Sequence, residues 1–81
     1  MEGIERINKA IDEFAGVMKS RMADKHREGY RGWDGKYHIP YLCDKIARDA
    51  HKIQFSVAHD KAAIDIGARA MMLWYRHKNE H

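Results

Sequence analysis

Apolar residues recur at steps of three and four positions near the start of the chain. They are Ile4, Ile7, Ile11, Phe14, Met18 and Met22. This spacing places them along one side of an α-helix, which completes a turn every 3.6 residues, whereas a strand would need a period of two. Charged residues from Glu5 to Lys19 occupy the other side. The pattern predicts one long amphipathic helix at about 3–28, ending before Gly29.

Residues 29–39 form the one clear break in the helical pattern. Three glycines and an Asp-Gly pair favour turns in this connector. Pro40 suits the first turn of a new helix, where its missing N–H is no loss. Apolar spacing then predicts a helix at about 40–54 and another at about 58–78. We therefore expect a single all-α domain over residues 1–81: a long N-terminal helix and an antiparallel helical hairpin, forming a small bundle.

The third predicted helix is apolar around most of its circumference. Its apolar residues are Ala62, Ala63, Ile64, Ile66, Ala68, Ala70, Met71, Met72, Leu73, Trp74 and Tyr75. Two other helices are not enough to cover such a surface, and small domains often associate with further copies of themselves. Small residues such as Ala63, Gly67 and Ala70 would let a neighbouring helix come close. We therefore expect a homo-oligomer, a dimer or higher, with this helix at the interface. Gly16 lies inside the first predicted helix, and a close helix–helix approach there would explain why it is tolerated.

Composition and charge exclude several classes of protein. Of the 81 residues 33% are charged, and no apolar run approaches the roughly 18 residues that a membrane span needs. The N-terminus is acidic and lacks the plan of a signal peptide. The single cysteine, Cys43, cannot form an intrachain disulfide, which fits a reducing compartment. We therefore expect a cytoplasmic protein with no membrane partner.

The net charge of +3 is spread along the chain rather than concentrated. The densest basic cluster consists of Lys19, Arg21, Lys25, Arg27 and Arg31, with Asp24 and Glu28 among them. One interpretation is a solvated helix end whose cations favour the negative end of the helix dipole. The other is a phosphate-binding surface. The first is favoured, so weak nucleic-acid binding stays a secondary alternative.

Two aspartates on the second and third helices are candidates for a metal site. Asp49 and Asp65 can approach one another in an antiparallel hairpin, and two carboxylates with water can hold Mg²⁺. The alternative is a salt bridge, with Arg48, Lys52 or Arg69 as the partner of Asp65. The salt bridge is favoured because Arg48 and Lys52 bring positive charge where a divalent cation needs acid. The six histidines show no zinc-binding spacing.

Aromatic residues in the connector are candidates for ligand contacts. Tyr30, Trp33 and Tyr37 lie beside Arg31 and Lys36. Such a loop can stack on a base or fill a partner's pocket. Equally, Trp33 can fold back to close the open end of the bundle. Both interpretations remain open from the sequence.

Two segments resemble a known family. They are residues 25–34, Lys-His-Arg-Glu-Gly-Tyr-Arg-Gly-Trp-Asp, and residues 65–74, Asp-Ile-Gly-Ala-Arg-Ala-Met-Met-Leu-Trp. They are similar to short phage-encoded proteins related to the MazG-like all-α nucleoside triphosphate pyrophosphohydrolases, over roughly residues 11–77. The resemblance implies a helical, usually dimeric or higher assembly with a cleft suited to nucleotides. Active members hold magnesium with acidic residues on two successive helices.

The acidic positions of that family are mostly replaced in this chain. Only Asp49 and Asp65 match as carboxylates, whereas Arg48, Lys52 and Ala62 stand at other acidic positions. The resemblance therefore implies that catalysis has been lost. Our leading hypothesis is a non-catalytic phage accessory protein without a cofactor, acting in the cytoplasm of an infected bacterial host.

The hypothesised protein acts by binding either a host protein, such as a defence factor, or a small nucleotide. The candidate contact residues are Lys25, Arg27, Tyr30, Arg31, Trp33, Lys36, Arg48 and Lys52. The alternative is a Mg²⁺-dependent nucleoside triphosphate pyrophosphohydrolase that uses Asp49 and Asp65.

Overall fold

Three α-helices form the structure, a computed structural model that describes residues 3–31, 33–34, 39–54 and 59–79. Helix α1 spans Gly3–Arg27, α2 spans Ile39–Ile53 and α3 spans His59–Asn79. No strand occurs in these ranges. The predicted all-α class, with a long N-terminal helix and a helical bundle, is confirmed. Over the same ranges, none of the helices combines the length and the apolar character that crossing a membrane requires.

A left-handed glycine ends α1. Gly29 has a φ of +98°, a conformation that residues with a Cβ rarely adopt. The N–H of Tyr30 donates to the carbonyl of Lys25 at 2.9 Å, and the N–H of Gly29 donates to that of His26 at 3.0 Å. These two bonds form the Schellman motif. The Arg31 guanidinium also donates to the His26 carbonyl at 2.7 Å, so the start of the connector is held against the end of α1.

Helices α2 and α3 form an antiparallel hairpin. Leu42, near the start of α2, lies with Met72 of α3, whereas Asp49, further along α2, pairs with Arg69, which comes earlier in α3. The buried residues within the described ranges are Leu42, Ala68 and Met72. Two of these belong to α3, which is therefore the central helix of a small core.

Helix α1 reaches α3 through Phe14. A Cβ placed on Gly67 would lie 2.5 Å from Cζ of the Phe14 ring, so the missing side chain is what admits the ring. The helix that approaches this small residue thus belongs to the same chain. Among the described residues no other helix approaches Gly16 closely, because its Cβ position has no neighbouring heavy atom within 4 Å. Gly16 lies on the charged side of α1, away from α3.

The N-terminal half of α1 leaves its apolar stripe in solvent. Ile4, Ile7 and Ile11 are 65%, 55% and 57% exposed. The spacing of these residues is that of a packed helix face, yet the side chains of this stripe that lie against Gly67 of α3 are Phe14 and Met18. Helix α3, where we expected an oligomer interface, packs against both α1 and α2 and still exposes Trp74 by 61% and Tyr75 by 37%. The larger uncovered face belongs to α1.

Candidate functional site

A pocket of about 120 Å³ opens where the three helices meet. Its lining residues are Arg21, Met22, Lys25, Tyr30, Tyr41, Leu42, Lys45, Asp65, Ala68, Arg69 and Met72. Four of these are cationic and one is a carboxylate, so the lining carries +3, as much as the whole chain. The remaining formal charges of the chain therefore cancel. Because cations outnumber the carboxylate in this lining, the field of the pocket favours anions over cations.

Each helix contributes to the pocket a pair of side chains four residues apart. The pairs are Arg21 and Lys25 on α1, Tyr41 and Lys45 on α2, and Asp65 and Arg69 on α3. Residues at this spacing lie one above the other on the same face of an α-helix. The charged lining is therefore a direct result of three helix faces converging on one point.

Two ion pairs join the helices at the pocket. Arg21 Nε of α1 donates to Asp65 Oδ1 of α3 at 3.2 Å, and these side chains are 31% and 23% exposed. Arg69 of α3 donates through Nη1 to Asp49 Oδ2 of α2. A guanidinium carries five N–H donors, so each arginine is oriented by its aspartate and retains donors beyond that bond.

The two lysines of the pocket have no carboxylate partner within the described part of the chain. Lys45 Nζ lies 5.6 Å from the centre of the Tyr41 ring, a cation–π distance. Lys25 is half-buried on the opposite wall. An anion entering the pocket would therefore meet two ammonium groups that are not already neutralised.

Two tyrosines complete the lining. The Tyr30 hydroxyl donates to Sδ of Met72 at 3.9 Å, which places this residue of the connector against the core. Tyr41 is 40% exposed at the start of α2. Aromatic rings at the edge of a cationic pocket provide flat faces on which a base can stack.

The two candidate metal ligands are both held by arginine. Of the alternatives drawn from the sequence, the salt bridge is what the structure shows. The partner of Asp65 is Arg21 of α1, not a cation of α2 or α3, while Arg69 pairs with Asp49. Nothing in the sequence indicated where α1 would cross α3. Within the described residues, no group of three or more His, Cys, Asp or Glu side chains is placed to hold a metal ion.

Three of the predicted cationic contacts lie outside the pocket. Arg48 pairs with Asp44 at 3.1 Å on the same helix, and both side chains are more than half exposed. Arg27 likewise pairs with Asp24, which lies about one helical turn before it on α1. Lys52 is exposed on α2. Such surface pairs contribute little to stability.

Trp33 packs back on the bundle. Its ring centre lies 5.1 Å from that of Tyr75, with the planes tilted by 56°, and the residue is half-buried. This packing agrees with the sequence alternative in which Trp33 folds back on the bundle, and contact of Trp33 with a ligand or partner stays a prediction. Arg31 donates to two backbone carbonyls at the end of α1. The predicted contact Lys36, with Tyr37, lies outside the described residues.

Sequence reasoning therefore found only part of the pocket. Lys25 and Tyr30 were among the predicted contacts, but Tyr41, Lys45 and Arg69 were not. One sequence pattern could have found the missed residues. On each helix a cationic side chain lies four positions from another charged or aromatic side chain, so the two share one helix face.

We compared the chain with protein-family models, with curated proteins and with solved structures, and none matched it. The resemblance to the MazG-like enzymes stays a prediction from the sequence motifs.

Proposed function

We propose that this protein binds a small nucleotide in the three-helix pocket and does not cleave it. The observation that carries the proposal is the lining of four cations and two tyrosines around a single carboxylate. Phosphate oxygens accept strong, charge-assisted hydrogen bonds from guanidinium and ammonium groups. A base stacked on an aromatic side chain contributes about 1–3 kcal/mol.

The dimensions of the pocket assign the two parts of the ligand to different places. A volume of about 120 Å³ is smaller than the roughly 300–1,000 Å³ of pockets that enclose a drug-sized molecule. The phosphates therefore lie inside, between Lys25 and Lys45. The base lies at the mouth, where the partly exposed Tyr41 ring is accessible.

The ion pairs of the two aspartates support binding without turnover. Hydrolysis of a phosphoryl chain commonly needs a metal ion that polarises the phosphate and activates water. Asp49 and Asp65 are each committed to an arginine. Magnesium would have to displace both guanidinium groups before these carboxylates could hold it. The pyrophosphohydrolase alternative therefore requires the pocket to rearrange.

The cellular setting of this proposal comes from the sequence resemblance. It is the cytoplasm of an infected bacterial cell, where a phage accessory protein of this kind would sequester or sense a nucleotide. The host-protein form of the hypothesis, and any link to a defence factor, stays a prediction from the sequence.

A thermal-stability screen tests the proposal. The protein is heated with NTPs, dNTPs and cyclic nucleotides, each with and without Mg²⁺. A ligand present at 100 times its dissociation constant stabilises the folded state by about 2.7 kcal/mol. We expect a shift that does not need Mg²⁺, and intact nucleotide when the sample is analysed afterwards. If no nucleotide shifts the melting temperature, the proposal is wrong.

Product analysis separates the two functions. Release of pyrophosphate that is lost in Asp65→Asn would establish the enzyme instead. The nucleic-acid alternative predicts binding of oligonucleotides that weakens steeply with added salt.

A further inference from the structure

Helix α1 is held to the hairpin less firmly than α2 and α3 are held to each other. Within Gly3–Arg27, all of which the structure describes, no residue is buried. The buried residues Leu42, Ala68 and Met72 belong to α2 and α3. An element with few buried apolar contacts separates from the rest of a fold at a low cost in free energy. We therefore expect α1 to be the first helix to leave the bundle.

The packing contacts of α1 are with α3. Phe14 and Met18 lie against Gly67. Arg21 pairs with Asp65. In the described residues, by contrast, no Cα atom of α1 lies within 8 Å of a Cα atom of α2. Both helices line the pocket, so the pocket is the space across which α1 faces α2.

The two walls of this space carry like charge. Helix α1 contributes Lys25 and α2 contributes Lys45, and both residues are half-buried. Neither lysine has a carboxylate partner within the described part of the chain. Like charges repel, and the repulsion is stronger where the surroundings exclude water. The two lysines therefore oppose the approach of α1 to α2.

We propose that the phosphate groups of a bound ligand fix α1 against α2, so that occupancy of the pocket controls whether α1 is docked. This inference rests on the proposed function, because it takes the phosphates to lie between Lys25 and Lys45. An anion at that place replaces the repulsion of two ammonium groups by charge-assisted hydrogen bonds to both. The ligand then links α1 to α2, which the two ion pairs of the pocket do not do, since each of them involves α3.

The affinity for the anion should depend on how firmly α1 is docked, because a coupling between two equilibria acts equally in both directions. Phe14→Ala weakens docking without touching the pocket, since Phe14 contacts Gly67 and is not part of the lining. By titration calorimetry we expect it to weaken binding of inorganic pyrophosphate by about 5-fold or more. Ile7→Ala, on the same face of α1 but 55% exposed, is the matched control and should bind as the wild type does. Equal affinities of Phe14→Ala and Ile7→Ala would overturn the coupling.

Distances between spin labels report docking directly. The native Cys43 of α2 is exposed and accepts one label, and Glu13→Cys places the second at an exposed position of α1. Saturating pyrophosphate should change a broad distribution of α1–α2 distances into a narrow one with a single maximum. A pair within the hairpin, Cys43 with Lys61→Cys, is the reference and should give the same distribution with and without pyrophosphate.

A substitution in the pocket should remove this response. At a pyrophosphate concentration that just saturates the labelled chain, Lys25→Gln should retain the broad distribution. Lys52→Gln removes the same charge from an exposed position of α2 outside the pocket. Its distribution should become as narrow as that of the labelled chain without this substitution.

The outcomes separate this inference from the proposed function. Pyrophosphate that binds by calorimetry without narrowing the α1–α2 distances overturns the inference alone. Narrowing by pyrophosphate, together with no binding of any nucleotide, supports the inference and overturns the proposed function. If pyrophosphate does not bind, both are wrong.

Discussion

Arg69 of α3 forms an ion pair with Asp49 of α2, and this pair lies at the edge of the cationic pocket. The side chains are 30% and 19% exposed, so the pair is neither buried nor fully solvated. The carboxylate occupies one N–H donor of the guanidinium and partly neutralises its charge, whereas the other donors remain for an anion in the pocket. The pair therefore stabilises the hairpin and competes with the proposed ligand.

Substitution of Asp49→Asn should separate these two effects. The free energy of unfolding should fall by about 1–2 kcal/mol, between the values for a surface pair and a buried one. Nucleotide affinity should rise several-fold, because Arg69 no longer has a competing carboxylate. Urea denaturation and titration calorimetry measure the two quantities on one sample. Loss of nucleotide binding in this variant would favour the metal-dependent alternative, in which Asp49 is a ligand.

Lys45→Gln should weaken nucleotide binding without altering the fold. The substitution removes an ammonium group that has no carboxylate partner among the described residues and lines the pocket. A hydrogen bond to a charged group is worth about 1.5–3 kcal/mol, and partial exposure lowers this to roughly 1–2 kcal/mol, a 5- to 30-fold loss of affinity. Lys52→Gln, on the same helix but outside the pocket, is the matched control. Equal effects of the two substitutions would show that affinity follows total charge and not the pocket.

A pair of glycine substitutions should change stability in opposite directions. Gly67→Ala puts a Cβ 2.5 Å from the Phe14 ring and forces it to move, at a cost of about 1–3 kcal/mol, which exceeds or matches the gain of about 1 kcal/mol in helix propensity. Gly16→Ala meets no neighbouring atom and should stabilise α1 by about 1 kcal/mol, the difference in helix propensity. Thermal unfolding should show Gly16→Ala melting above the wild type and Gly67→Ala below it. The same sign for both would contradict the Phe14 contact.

Trp33→Ala should destabilise the bundle and leave nucleotide affinity nearly unchanged. The Trp33 ring packs on Tyr75, and an aromatic pair contributes about 0.5–1.5 kcal/mol beyond the area it buries. Trp33→Phe retains a ring and should recover most of the lost unfolding free energy. If Trp33→Ala abolished nucleotide binding at unchanged stability, Trp33 would be a ligand contact, as one of our sequence alternatives held.

The periodicity of the chain predicted the helices because it depends only on local geometry. Ile4, Ile7 and Ile11 mark one face of α1 whatever that face contacts. Periodicity does not say what will cover the face. The sequence could therefore not show that these three residues stay exposed while Phe14 packs on Gly67.

The pocket was harder to predict because it depends on where α1 crosses the hairpin. The partner of Asp65 lies 44 positions away in the chain, so no local pattern links Arg21 to it. Lys45 and Tyr41 likewise acquire a shared role only when α1 places Lys25 opposite them. The sequence shows which residues share a helix face, but it does not show that the three faces meet at one pocket.

The contact of Phe14 with Gly67 divides α1 into two arms, one on each side of the contact. About 15 Å of helix extends from this point to Ile4, and the other arm, through Arg21 and Lys25, forms a wall of the pocket. A tilt of α1 by about 10° would move this tip by about 2.6 Å, roughly half the rise of a helical turn. A rigid tilt of α1 about this contact would therefore move its two ends in opposite directions and would break none of the backbone hydrogen bonds of the helix.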